Sequence, residues 1–155
     1  SNTVLSRRRP QEVEALKLPG LIPGRGVLRV GYGHAPEMLH VFVLHMALGQ
    51  RGRLQQIHYL SSLIHQRNYR HVVVMGDLNC RSDSRELKLL LHEVKLREPL
   101  PGLHTFPSWQ PNRQLDHILV SQTLEVVHAT VLPHAFSDHL PIAMELQLPE
   151  SLRLE

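Results

Sequence analysis

The sequence predicts an α+β sandwich rather than a parallel doubly wound sheet. Three observations carry this. Short β-patterned segments recur along the chain, only two segments show helical spacing, and there is no internal repeat. At 155 residues, 42% hydrophobic and 20% charged, the chain has the size and composition of one globular domain.

Taken in order, residues 2–6 read as a short strand, followed by the basic run Arg7-Arg8-Arg9 and Pro10. Strands are predicted over 13–18 and 26–30, separated by the turn formers Pro19-Gly20 and Pro23-Gly24. Leu39, Val41, Val43 and His45 alternate on one face of a strand over 38–46. Leu54, Ile57, Leu60 or Ser61, and Ile64 recur at helical spacing, which predicts an amphipathic helix over 52–66. His71-Val72-Val73-Val74-Met75 is a β-branched run ended by Gly76, suited to a strand buried on both faces. Asp83 with Glu86 forms a capping pair for a second helix that turns Leu87, Leu90 or Leu91, and Val94 inward. A proline-rich loop spans 99–111, and three strands close the chain over 115–121, 124–132 and 140–148.

Composition excludes some classes. No apolar run reaches the roughly 18 residues of a membrane-spanning helix, and no signal-peptide core opens the chain. Cys80 is the single cysteine, which rules out an internal disulfide and fits a reducing, cytoplasmic setting. A net charge of +3, carried mostly by arginine, is compatible with phosphate-bearing partners and by itself decides little.

Four polar groups sit at strand ends, where loops can gather side chains. Asp77 and Asn79 follow the buried strand two residues apart, so both can point to one side. A carboxylate and an amide there can hold a water and a phosphoryl oxygen, or simply build a turn. Asp138 and His139 precede the last strand, where the carboxylate can bind a hard cation and the imidazole can move a proton. Asp116 lies in an otherwise apolar strand and needs a partner, either a histidine or backbone and arginine donors. His45 ends its own strand.

His45, Asp77 with Asn79, Asp116, and Asp138 with His139 follow one another in that order, each attached to a strand. The set resembles the endonuclease/exonuclease/phosphatase superfamily of nucleases, sphingomyelinases and inositol-phosphate phosphatases. Gly76-Asp77-Leu78-Asn79 resembles its GD-[FL]-N motif, Leu115-Asp116-His117-Ile118 its D-[HY]-[IF] strand, and Ser137-Asp138-His139 its S-D-H motif. His45 followed by Arg53 and Gln55 is similar to its histidine strand and ensuing helix, and residues 2–7 to its G-N-x-x-L-S-R strand.

Family members carry, ahead of the L-S-R strand, one strand with an asparagine and another with the main metal-binding glutamate. Asn2 belongs to the later strand, and Glu12 and Glu14 are poor substitutes for that glutamate. The resemblance therefore implies that residues 1–155 form one truncated domain: a partial four-layer α/β sandwich of two mainly antiparallel sheets flanked by helices, its N-terminal strands missing. An open sheet edge would favour self-association.

The resemblance further implies a phosphodiesterase-like or nuclease-like hydrolase using Mg²⁺ or Mn²⁺, acting on a phosphoester substrate, with nucleic acid among the classes open. Asp138 is then a metal ligand, Asp77 and Asn79 orient water and the phosphoryl group, and His45 contacts a phosphate oxygen. His139, paired with Asp116, assists proton transfer or stabilises charge. The rival is an inactive fragment or binding module that keeps the fold's motifs. Residues 105–109 are either a substrate-side loop or a packed surface loop.

Overall fold

The computed structural model describes residues 2–20, 25–99 and 101–154. In chain order these form β1 (Glu12–Lys17), β2 (Gly26–His34), β3 (Glu37–His45), α1 (Gln50–Gln66), β4 (His71–Asp77), α2 (Arg85–Val94), β5 (Leu96–Arg97), β6 (Asp116–Ser121), β7 (Glu125–Val131) and β8 (Ile142–Gln147). Six strands make one sheet in the order β1-β2-β3-β4-β6-β5, and β7 pairs with β8 in a second. Every neighbouring pair is antiparallel except β3 and β4. A parallel pair needs a crossover, and α1 supplies it.

Strand alternation divides the apolar residues between two cores. Phe42, Leu44, Val72, Val74 and Leu119 face the helices, where Ile57, Leu60 and Ile64 of α1 and Leu87, Leu90 and Val94 of α2 cover them. Leu39, Val73 and Val120 face the other way, against Leu124, Val126, Met144 and Leu146 of the hairpin. Helices, large sheet and small sheet thus form three layers among the described residues, the α+β sandwich that the sequence predicts. No helix among those residues is long and apolar enough to cross a membrane.

Two local expectations are corrected. Residues 2–6 are not a strand: among the described residues no ladder partner pairs with them, Leu5 is exposed, and Asn2 donates its amide to the Gly26 and Val43 carbonyls instead. The α2 cap is Ser84, whose hydroxyl accepts from the Leu87 N–H, and not Asp83, which pairs with Arg81 at the surface. Glu86 turns inward to Arg53 at 2.6 Å rather than back to the cap. The Pro23-Gly24 turn lies outside the described residues.

Charge fastens the outer edge of the large sheet. On β1, Glu12 and Glu14 reach Arg29 of β2 at 2.8 and 3.1 Å, and Glu14 also meets Arg67 at the end of α1. The Arg67 guanidinium, seconded by Arg29, holds the Glu14 carboxyl down at about 2 against burial that acts to raise it. A depressed carboxyl contributes stability above its ordinary value of 4.5, and that contribution is lost as pH falls through 2. Glu14 is 29% exposed, so solvent discounts the effect to about 1 kcal/mol. In urea titrations the advantage of wild type over Glu14→Gln should shrink by about that amount between pH 4.5 and 2.

Candidate active site

Three neighbouring strand ends align one polar residue each. His45 pairs with Asp77 across β3 and β4, and Asp77 pairs with Asp116 across β4 and β6. His45 lies two residues beyond Val43, Asp77 two beyond Met75, and Asp116 two before Ile118. All three therefore share the sheet face that packs on the hairpin, just past its apolar contacts.

Gly76 permits this alignment. Its φ is +137°, and a Cβ there would stand 2.0 Å from the Leu44 carbonyl oxygen on β3. Beyond it the chain turns tightly. Asn79 adopts a left-handed φ of 50°, its N–H donates to Asp77 Oδ1 at 2.9 Å, and its side-chain amide donates to the Met46 carbonyl at 2.9 Å. Leu78, fully buried, donates its N–H to the Leu115 carbonyl. One Asp77 oxygen is thus fixed by the turn while Oδ2 lies 3.5 Å from His45 Nε2.

His139 arrives on the segment before β8. Its Nδ1 lies 2.7 Å from Asp116 Oδ2, which also accepts the Thr105 hydroxyl at 2.5 Å. The Phe106 ring lies 4.8 Å from the imidazole. Burial acts to lower the pKa of His139, but the hydrogen bond and charge of Asp116, followed by Asp77 and Asp138, outweigh it and raise it above 6.5. One donor atom each from Asp77, Asp116 and His139 lies within 4.8 Å of the others.

Five of the six residues singled out in the sequence are joined by these contacts. Asp138 stands at the rim: it is exposed, its carbonyl accepts the Ser108 N–H, and it falls outside the three converging groups. Glu12 and Glu14 lie at the β1 edge, engaged with arginines. Sequence reading did not identify Thr105 as a partner of Asp116, since a threonine within a proline-rich loop carries no such signal. It also passed over a buried brace behind the row. His117 is fully buried, 2.7 Å from Glu98 Oε1 and 2.8 Å from the Cys80 carbonyl, and Ser82 and Gln114 bond the same Glu98 oxygen. The brace ties β6 to the loop after Asn79.

Two carboxylates opposite each other across a ladder repel. Their arrangement fits a cation or a protonated imidazole between them. A hard divalent cation takes one or two carboxylates and keeps most of its waters, and the partly exposed Asp77 and the rim residue Asp138 are of that donor type. His139, with Nδ1 committed to Asp116, is better placed to hold or move a proton at Nε2.

A sequence model of the Endonuclease/Exonuclease/phosphatase family matches residues 2–139. No curated protein sequence matches. Among solved structures the chain is similar to an endonuclease/exonuclease/phosphatase family protein from Bacteroides thetaiotaomicron, with a TM-score of 0.77 and 16% identity over 91% of this chain and 66% of that one. It is similar to a mannosyl-6-phosphatase from the same organism, with a TM-score of 0.73 and 18% identity over 90% and 67%. The catalytic domain of human Nocturnin, with a bound sulfate anion, gives a TM-score of 0.72 and 17% identity over 94% and 62%. Likeness at these identities is likeness of fold. The chain spans about two thirds of the length of these structures.

Two outcomes follow from the geometry. Gly76→Ala should cost at least about 3 kcal/mol in denaturant titrations, because its Cβ meets backbone that cannot move without breaking the β3–β4 ladder. Asp116→Asn removes the main upward influence on His139, so the imidazole titration followed by NMR should fall below its wild-type midpoint. An unmoved midpoint would show that Asp116 does not govern it.

Proposed function

The chain belongs to the Endonuclease/Exonuclease/phosphatase family, and from that premise we propose that it carries the reacting residues of a divalent-metal-assisted phosphoester hydrolase. The convergence of Asp77, Asp116 and His139 within 4.8 Å is the observation that supports this most. Phosphoester hydrolysis needs in-line positioning and neutralised charge more than covalent chemistry, and preorganised dipoles and proton donors supply both.

In this reading Asp77 and Asp138 are the oxygen donors toward Mg²⁺ or Mn²⁺. Such an ion, when bound, would polarise a phosphoryl oxygen and offset the charge that develops on it. Asp77, one oxygen held by the Asn79 N–H, would position a water through the other, and Asn79, its side-chain N–H given to the Met46 carbonyl, would orient the phosphoryl group. Asp116 orients the His139 ring through Nδ1 and Thr105 holds the carboxylate in place, so Nε2 can transfer a proton. His45, about half exposed beside Asp77, contacts a phosphate oxygen.

The test is turnover of bis(p-nitrophenyl) phosphate with and without Mg²⁺ or Mn²⁺, for residues 1–155 and for a longer chain carrying them. Metal-dependent hydrolysis should fall by at least about 100-fold in Asp116→Asn and His139→Ala, with melting temperatures close to wild type. Undiminished rates in both variants would remove the roles given to this pair. Absence of turnover in both lengths would favour the rival reading, a binding module built on the same motifs.

A further inference from the structure

The side chains of His117 and Glu98 are 0% and 9% exposed, yet neither belongs to the cluster of Asp77, Asp116 and His139. A buried ionisable pair is a costly way to fill a core. Its hydrogen bonds show what it holds. The Cys80 carbonyl can only accept, so Nε2 of His117, 2.8 Å away, carries a hydrogen. A neutral ring would then turn the bare lone pair of Nδ1 toward Glu98 Oε1 at 2.7 Å, acceptor against acceptor. A proton therefore lies between Nδ1 and Oε1. The Ser82 hydroxyl and the Gln114 amide reach the same oxygen at 3.0 Å each, so Glu98 is fixed from three sides.

The ring is gripped by Glu98 and in turn grips the backbone beside the site. Cys80 follows Asn79, whose left-handed φ of 50° is a conformation that its surroundings must hold. His117 follows Asp116 and pairs across the ladder with Gly76, the residue before Asp77. One imidazole thus links the carbonyl just past Asn79 to the residue next to Asp116. The β4–β6 ladder ends at the Asp77–Asp116 pair. Beyond it, the turn is held to β6 by the His117–Cys80 bond and by the Leu78 N–H on the Leu115 carbonyl.

We propose that His117 and Glu98 are positioning residues for the candidate active site. The proton between them sets the ring so that Nε2 holds the Cys80 carbonyl, and this keeps Asp77 and Asn79 in place opposite Asp116 and His139. The inference rests on reading that cluster as a phosphoester site. It adds two residues that act without meeting substrate, metal or reacting atoms.

A pair that merely stabilises the fold lowers the rate only as it lowers stability, and two variants of the chain separate these effects. In Glu98→Gln/His117→Phe the amide oxygen still receives Ser82 and Gln114, and no buried charge is left unpaired. The melting temperature should stay close to wild type. The Cys80 carbonyl loses its donor, so hydrogen exchange at the Asn79 N–H, which bonds Asp77 Oδ1, should quicken about 10-fold, the worth of one hydrogen bond. Metal-dependent turnover of bis(p-nitrophenyl) phosphate should lose about 10- to 100-fold in kcat with KM nearly unchanged. His117→Gln does the opposite. Its amide nitrogen takes the place of Nε2 while its oxygen meets Glu98, so the melting temperature should drop while Asn79 exchange and kcat stay near wild type. Exchange and kcat that follow melting temperature in both variants overturn the proposal. Unquickened exchange at Asn79 in the double variant overturns it whatever the turnover, and so does quickened exchange with undiminished kcat, which leaves the reading of the cluster standing. Quickened exchange, with no turnover by wild type or by a longer chain carrying it, keeps the hold on the turn and sinks the reading of the cluster.

Discussion

The parallel register of β3 and β4 is the constraint on which the site depends. At Gly76 the two backbones approach so closely that a Cβ would fall 2.0 Å from the Leu44 oxygen. That approach sets His45 beside Asp77, and the antiparallel partner β6 then sets Asp116 on the other side. Strand periodicity does the rest, because residues two apart share a face. The row is therefore a consequence of sheet geometry, fixed by ladders that run to the three residues themselves and by the backbone bonds just beyond them, Met46 N–H to the Asp77 carbonyl and Leu78 N–H to the Leu115 carbonyl.

Such a row is electrostatically costly by itself, since two carboxylates face each other. Asp116 is relieved locally by His139 and the Thr105 hydroxyl, and Asp77 by the Asn79 N–H and the nearby His45 ring. The buried His117–Glu98 brace and the Arg53–Glu86 pair hold the flanking loops from below. Arg53 also donates to the Ala47 and Leu48 carbonyls, which ties the segment after His45 to α2. Polar side chains held by second partners lose little freedom when a ligand arrives, which is the physical meaning of preorganisation.

Much of this was legible in the sequence because it is written in local patterns. The β-branched run at Val72–Val74 reads as a doubly buried strand and is one. The inward residues of α2, Leu87, Leu90 and Val94, follow from 3.6-residue spacing. Asp116 demanded a partner on desolvation grounds alone, and His139 stands at 2.7 Å. What was not legible depends on tertiary pairing. Residues 2–6 look like a strand by composition, but a strand is defined by its neighbour. The off-by-one cap at Ser84 reflects a competition that burial of Glu86 decides. Thr105 and the Glu98 brace join segments 11 and 19 residues from their partners, with no periodicity to announce them.

The division of labour between strand ends and loop tips bears on how such a domain can diversify. A one-residue shift of β4 would turn Asp77 to the helix side, because strand faces alternate, so insertions there abolish the arrangement outright. The hairpin turn at 107–110 carries no such penalty: its flanks are clamped by the Phe106–Arg113 bridge and by Ser108, and length added at the tip leaves the clamp untouched. Changes of length or sequence at the tip are therefore compatible with an intact row of His45, Asp77 and Asp116, whereas a change of register in β4 is not.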